Sequence, residues 1–498
     1  MQVSVKTGTA LDAKTDLLVL VHLEKDTPPL PPAFDDAFAQ AKKVGDLPQS
    51  LRASCLLYPS EAAPAKRLLL VCAGRSSEVD AESLRRIGAI AQKRADDLGC
   101  ADFVLALSQR VSEACALELA CQALAEGAGL AAYRYIAPSK DKAKPAKLKR
   151  ASLMAIEGKL PAACSKAAKT GMLRAEATCF ARELGNKAGN LMTPSILASE
   201  SKKLANNRVK VTVFDEARMK KEKMNALLGV SRGSREPAKL IFFDYDPFKG
   251  KASKGRTIAI VGKGLTFDAG GISLKPSAGM DEMRYDMCGG AAVVGLFHAL
   301  ASGALSPKLR VVGAVPASEN LLDGDAQKPG DIVTACDGTT IEVLNTDAEG
   351  RLILCDALAY VTKTYKPAKM VDLATLTGAV VMALGHEMSG IMGDDEVCKE
   401  LLEAGESSGD RCWQLPLWDV HKDMMKSKFA DLRNINSGKA DGAGSTSGGA
   451  FLSNFVGDTP WAHIDIAGAA WGAKAKDYYE FGATGVGVRL LLDWLANQ

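Results

Sequence analysis

TIAIVGKGLTFDAGGISLKP, residues 257–276, decides the fold. Four of its first five residues are apolar, in the short span of a buried strand. The chain then passes straight into a glycine-rich stretch carrying Lys263, Asp268 and Lys275. In open α/β sheets, sites gather on the loops that follow the carboxyl ends of strands. A dinucleotide loop is excluded, because the third glycine of a GxGxxG pattern begun at Gly262 would fall on Phe267. No GxxxxGK phosphate loop is present either. What remains is two lysines and an aspartate around Gly270 and Gly271, residues that permit close backbone approach or positive φ. That is an unusual way to decorate a surface.

Outward from this stretch the chain alternates. Strand candidates fall at 209–214, 240–245, 310–315, 370–373 and 462–466, with helix candidates at 216–228, 289–301, 352–363, 396–404, 450–455 and 486–496. The N-terminal third alternates too. Strands are expected at 16–22, 67–72, 103–107 and 153–156, and helices at 81–98 and 112–133, the second capped by Ser112. The expectation is an α/β protein of two α/β domains. Residues 1–160 form the N-terminal domain, 161–190 a linker helix, and 191–498 a catalytic domain around a mixed, mostly parallel sheet with helices on both faces. A length of 498 residues also points to two domains.

Composition excludes several classes. A net charge of +3 is too balanced for a general nucleic-acid or membrane binder. No apolar run approaches the roughly 18 residues of a membrane span. The N-terminus lacks a basic start followed by an apolar stretch, so no signal peptide is expected. Twelve cysteines are scattered without CxxC pairs, mostly within apolar runs, which favours a reducing, cytoplasmic setting. There are five histidines. His386 and Glu387 begin a zincin pattern, but the second histidine position is Gly390. Oxygen ligands must therefore dominate any metal site.

Two further stretches supply them. NTDAEGR, residues 345–351, places Asp347, Glu349 and Arg351 two apart. If extended, the three would share a face, the two anions would need a cation between them, and Arg351 could hold an anion alongside. The spacing alone is common, since 59 acidic residues in 498 give about seven acid-x-acid triplets by chance. MRYDMCGGAAV, residues 283–293, sets Asp286 in apolar company before a helix, as a helix cap or as a group in need of a partner. Together Asp268, Asp286, Asp347 and Glu349 suffice for two divalent cations bridged by carboxylates, with zinc, manganese, magnesium or cobalt all compatible. A dinuclear phosphoesterase would use the same set. Elsewhere, 139–150 carries six basic residues, read as a solvated loop or a phosphate contact. GAGSTSGG, 442–449, lacks GxSxG and reads as a loop near the site. WAHIDI, 461–466, reads as a core strand with His463 and Asp465 satisfied inside it.

The three site stretches, in the chain order 257–276, 283–293 and 345–351, closely resemble the signature segments of the M17 leucyl (cytosol) aminopeptidase family over roughly residues 160–498. The resemblance implies a two-metal aminopeptidase acting on peptides with a free N-terminus, leucine-type with broad neutral preference. By that resemblance Lys263 is a neutral-lysine metal ligand, paired with Asp286 on the tighter metal. Asp268 and Glu349 bridge the two metals, and Asp347 binds the more exchangeable one. Lys275 stabilises the oxyanion formed when a metal-bridging hydroxide attacks the scissile carbonyl, and Arg351 holds a bicarbonate that serves as general base. Met283, Thr375, Gly378, Ala467 and Ala470 match the region that receives the N-terminal side chain. The resemblance further implies a homohexamer, and some bacterial relatives also bind DNA. Ligation by Lys263 requires a free amine, and so a strongly lowered pKa.

Overall fold

The computed structural model describes residues 1–139, 147–156, 158–250, 257–436, 442–472, 476–479 and 481–498. The chain divides into two compact units, one of Met1–Glu176 with Ala475–Glu480, the other of Ala177–Lys474 with Phe481–Gln498. Both are α/β.

The first unit holds strands β1 (Gln2–Thr9), β2 (Leu18–His22), β3 (Ser54–Leu57), β4 (Leu68–Cys72), β5 (Asp102–Leu107) and β6 (Arg150–Ala155). They pair in the order β1-β6-β5-β2-β4-β3, parallel except at the β3 edge. The apolar runs of β2 and β4 are buried along their whole length, as strands covered on both faces must be. The helices Ala81–Asp97 and Leu117–Ala131 press backbone to backbone, since a Cβ on Gly88 would lie 2.2 Å from the Leu124 carbonyl and one on Gly127 1.7 Å from that of Arg85. This contact corrects the single helix expected over 112–133. The chain instead forms Gln109–Ala114, capped by Ser108 rather than Ser112, and restarts at Leu117 after extended residues Cys115 and Ala116. No proline or glycine announces that break.

The second unit carries β7 (Val209–Phe214), β8 (Lys239–Tyr245), β9 (Thr257–Gly262), β10 (Gly264–Asp268), β11 (Arg310–Asn320), β12 (Ile332–Thr334), β13 (Thr340–Glu342), β14 (Lys369–Ala374), β15 (Ser389–Gly393), β16 (Cys412–Gln414), β17 (Leu432–Arg433) and β18 (Trp461–Asp465). The main sheet runs β16-β15-β18-β14-β9-β11-β8-β7, and β10 also pairs with β11. Its centre, β18-β14-β9-β11, is parallel, and β15, β8 and β7 join antiparallel. Helices cover both faces. Ile258 and Ile260 point into a core shared with the helices Cys288–Ser302 and Val488–Ala496, while Ala259 and Val261 face the helices Gly350–Tyr365 and Gly444–Leu452. This period-two split puts alternate residues of one strand on opposite faces. β12, β13 and β17 make a small separate sheet.

Three local expectations are corrected here. The helix expected at 216–228 is two, Glu216–Lys221 and Asn225–Ser231, split where Lys223 takes a φ of 59°. The 442–449 loop is mostly helix, beginning at Gly444. Residues 345–351 are not extended: they turn, and Glu349 is the residue from which the helix Gly350–Tyr365 starts.

That helix also carries Asp356, fully buried with no cationic partner among the described residues. Its carboxylate accepts hydrogen bonds from Leu227 N (2.9 Å) and Cys336 N (2.7 Å), tying the helix Asn225–Ser231 and the turn at Cys336 to it. Burial outweighs these donors and pushes its pKa up to about 7. The folded protein therefore binds a proton that the unfolded chain releases above its ordinary value of 3.8. Stability from this group is full below that value and is lost as pH rises toward 7. In Asp356→Asn, the melting temperature measured against wild type by calorimetry should shift in the variant's favour between pH 4 and 7. The ceiling is about 1.4 kcal/mol per pH unit. A pH-independent difference rejects this assignment.

Candidate metal centre

The central parallel strands end together, and their carboxyl ends carry the chemistry. Asp268 closes β10, Asn320 closes β11, Thr375 follows β14 and Asp465 closes β18. Lys263 sits where β9 breaks before β10. Its N–H donates to the Leu373 carbonyl (2.9 Å), and its own carbonyl accepts from Gly290 N (2.6 Å). Glycine is required around it. A Cβ on Gly289 would lie 2.2 Å from the Leu373 carbonyl, and one on Gly350 2.7 Å from the Lys263 ammonium. The GG of residues 283–293 and the G of NTDAEGR thus clear room for one lysine.

The Lys263 Nζ lies 2.7 Å from Asp286 Oδ2 and 2.8 Å from Glu349 Oε1, and donates to the Thr375 carbonyl at 3.0 Å. The Lys275 Nζ lies 2.8 Å from Asp268 Oδ2 and 2.6 Å from Asp347 Oδ1. Asp268, Asp286 and Glu349 are buried, and each offers an oxygen within 4.8 Å of the others. Asp286 is further held by Thr375 Oγ1, which donates to its Oδ1 at 2.7 Å. Asp268 Oδ1 accepts from Gly270 N (2.8 Å) and Asn320 Nδ2 (2.9 Å). Five residues anticipated as ligands therefore converge, with Asp347 joined to the rest through Lys275. The shared face is built by a turn and a helix start, not by an extended segment.

Electrostatics marks the place as one built for more positive charge. Burial, together with the neighbouring carboxylates Asp268 and Asp286, pushes Glu349 well above the ordinary carboxylate range. Burial and the Asp268 charge raise Asp347 likewise. Glu349 Oε2 is buried with no hydrogen-bond partner among the described residues. Orphaned buried carboxylate oxygens are costly, and a divalent cation satisfies them. The donor set therefore fits a hard or borderline cation. Lys263 is pushed the other way from the expectation: burial alone would lower its pKa, but Asp286, Glu349 and Asp268 outweigh burial and raise it. The lowering that metal ligation needs would depend on cations sharing those carboxylates.

Arg351 lies in the first turn of the helix Gly350–Tyr365, buried, with Nη1 donating to the Asn434 carbonyl (2.7 Å). Its Nε has no partner among the described residues, and burial draws its pKa down to about 10. Of the residues expected around the substrate, Thr375 is tied to Asp286, and Ala467 N donates to Asp465 Oδ1 (3.1 Å). Ala467 and Ala470 are buried and Met283 is half-buried. Gly378 is exposed, and a Cβ there would meet nothing within 4 Å. Sequence reading missed Asn320, Asn434 and the bracing role of Asp465, whose Oδ2 accepts from Thr377 Oγ1 (2.6 Å) and whose Oδ1 accepts from Leu376 N (3.1 Å). His463 is a core group, its Nδ1 2.7 Å from Asp372 Oδ1.

Comparison with known proteins agrees over the whole chain. A family model described as cytosol aminopeptidase family, catalytic domain, matches residues 179–492, and its N-terminal domain counterpart matches residues 24–138. A probable cytosol aminopeptidase of Azoarcus sp. (strain BH72) is 42% identical, covering 100% of this chain and 99% of its own length. One from Geobacter sp. (strain M21) is 44% identical over 89% of this chain and 88% of its own length. Among solved structures, a mutant of tomato leucine aminopeptidase matches with a TM-score of 0.87 at 30% identity, covering 100% of this chain and 97% of that one. The bottromycin maturation enzyme BotP in complex with Mn matches with a TM-score of 0.83 at 30% identity, over 97% of this chain and 99% of that one. Among the described residues no helix is long and apolar enough to cross a membrane.

Proposed function

The chain belongs to the cytosol aminopeptidase family and is a metal-dependent exopeptidase, and from that premise we propose how its residues divide the work. Lys263, Asp268, Asp286, Asp347 and Glu349 hold two divalent cations, manganese or zinc. When bound, such a pair polarises a carbonyl and supplies a water that deprotonates near neutral pH. The observation that carries this reading is the close set of Asp268, Asp286 and Glu349 oxygens, with Glu349 Oε2 left over. Mn in a structural relative, the BotP complex, supports the choice of metal.

Lys275 then stabilises the negative charge that develops on the scissile carbonyl oxygen. Arg351 offers its Nε, which has no partner among the described residues, to an anion, bicarbonate in this reading, where a proton acceptor is needed. The side chain of the N-terminal residue sits against Met283, Thr375, Gly378, Ala467 and Ala470, whose small members favour leucine-type and other neutral residues. A free α-amine on the peptide restricts cleavage to the first residue. The protein works as a cytoplasmic homohexamer in the same reading.

A DNA-binding role rests on the basic run 139–150, of which 140–146 lie outside the described residues, and no observation favours it. The phosphoesterase alternative has no support beyond the shared carboxylates. Leucyl-p-nitroanilide and its N-acetyl form, compared on protein stripped of metal and reconstituted with manganese, test the proposal. The free amine should be cleaved only after metal is restored, with the acetylated form at least about a thousandfold slower. Equal rates on the two substrates reject it.

A further inference from the structure

Asn434 follows β17, is fully buried, and spends its whole side chain on one turn. Its Oδ1 accepts from Leu344 N (2.8 Å) and Asn345 N (3.3 Å), and its Nδ2 donates to the carbonyls of Asn345 (2.6 Å) and Ala348 (3.4 Å). Its backbone carbonyl takes the Arg351 Nη1 at 2.7 Å. Its backbone N–H donates to Glu342 (3.0 Å), one strand back from the same turn, and β17 pairs in parallel with β13 there. One residue therefore grips the turn at its entry and again at Ala348, between Asp347 and Glu349, and its carbonyl also holds the Arg351 guanidinium.

We propose that Asn434 is the positioning residue that holds the cation-binding turn and the anion-binding Arg351 in one frame. The inference rests on the metal reading above. A primary amide is suited to the task because it donates and accepts at one length. A carboxylate of the same shape keeps the acceptor and loses both donors, so the Asn345 and Ala348 carbonyls would lose their partner and face a negative charge. The turn could then relax without the core being disturbed. Outer groups that orient metal ligands typically change metal affinity or activity 10–100-fold when altered.

Asn434→Asp and Asn434→Ala test this, with Leu401→Ala as a control that weakens a core helix carrying none of the site residues. In equilibrium dialysis of metal-free protein against manganese, both Asn434 variants should bind at least one of the two ions about tenfold more weakly. At saturating manganese their kcat should fall about 30-fold while KM stays within about twofold. Leu401→Ala should lower the melting temperature and leave both readouts unchanged. Wild-type manganese binding and kcat in Asn434→Asp, or losses matched by the control, overturn the inference alone. A wild-type protein that binds no manganese in the same dialysis overturns the metal reading and this inference with it.

Discussion

Glu349→Gln should empty the centre and cut peptide hydrolysis by at least about a thousandfold, equivalent to about 4 kcal/mol of transition-state stabilisation. The substitution is nearly isosteric, so its effect isolates charge and lone pairs. Glu349 is the member of the trio with an unclaimed oxygen, Oε2, while its Oε1 stands 2.8 Å from Lys263. An amide in its place presents a neutral oxygen and an NH₂ that repels a cation. The remaining Asp268, Asp286 and Asp347 would then face Lys263 and Lys275, three carboxylates against two ammonium groups, which halves the excess negative charge available to a dication. Metal analysis after gel filtration in limiting manganese, followed by leucyl-p-nitroanilide kinetics, checks this. Retention of both ions with near-native kcat would sink the bridging role assigned to Glu349.

What could be read from sequence was what is local. Residues 257–276, 283–293 and 345–351 each carry their charged groups within a few positions of glycines, and the apolar run at 257–261 supplies the strand that delivers them. The central strands of the second unit were legible for the same reason, as short apolar runs. β10 was hidden because Gly262 and Lys263 interrupt what is otherwise one continuous edge along β11. β16 and β17, only three and two residues long, lacked any pattern to find. The braces of the site were illegible for another reason. Asn320 reaches Asp268 across 52 residues and Asn434 reaches Asn345 across 89, and an isolated asparagine in a turn-rich stretch has no signature of such a partner. The extended reading of 345–351 failed because Leu352 and the helix-forming residues after it draw the helix start back to Gly350.

Lys275→Ala is expected to leave the ions bound and yet lower kcat by about 10²–10³, the usual cost of removing one oxyanion donor. Burial separates the two lysines of the centre. The Lys263 side chain is 3% exposed and enclosed by Asp286, Glu349 and the Thr375 carbonyl, whereas that of Lys275 is 20% exposed at the open side, between Asp268 and Asp347. Only the second can meet a peptide arriving from solvent. Burial would lower its pKa, but the charges of Asp268, Glu349 and Asp347 outweigh burial and raise it. A permanent ammonium beside a carbonyl that gains negative charge lowers the barrier without binding the ground state more tightly, so KM should move little. Alanine removes that charge and frees two carboxylates, which should hold cations no less firmly than before. Steady-state kinetics with metal analysis on the same sample decide the matter: a parallel loss of metal and rate would make Lys275 a structural counter-ion, and unchanged turnover would remove it from the chemistry altogether.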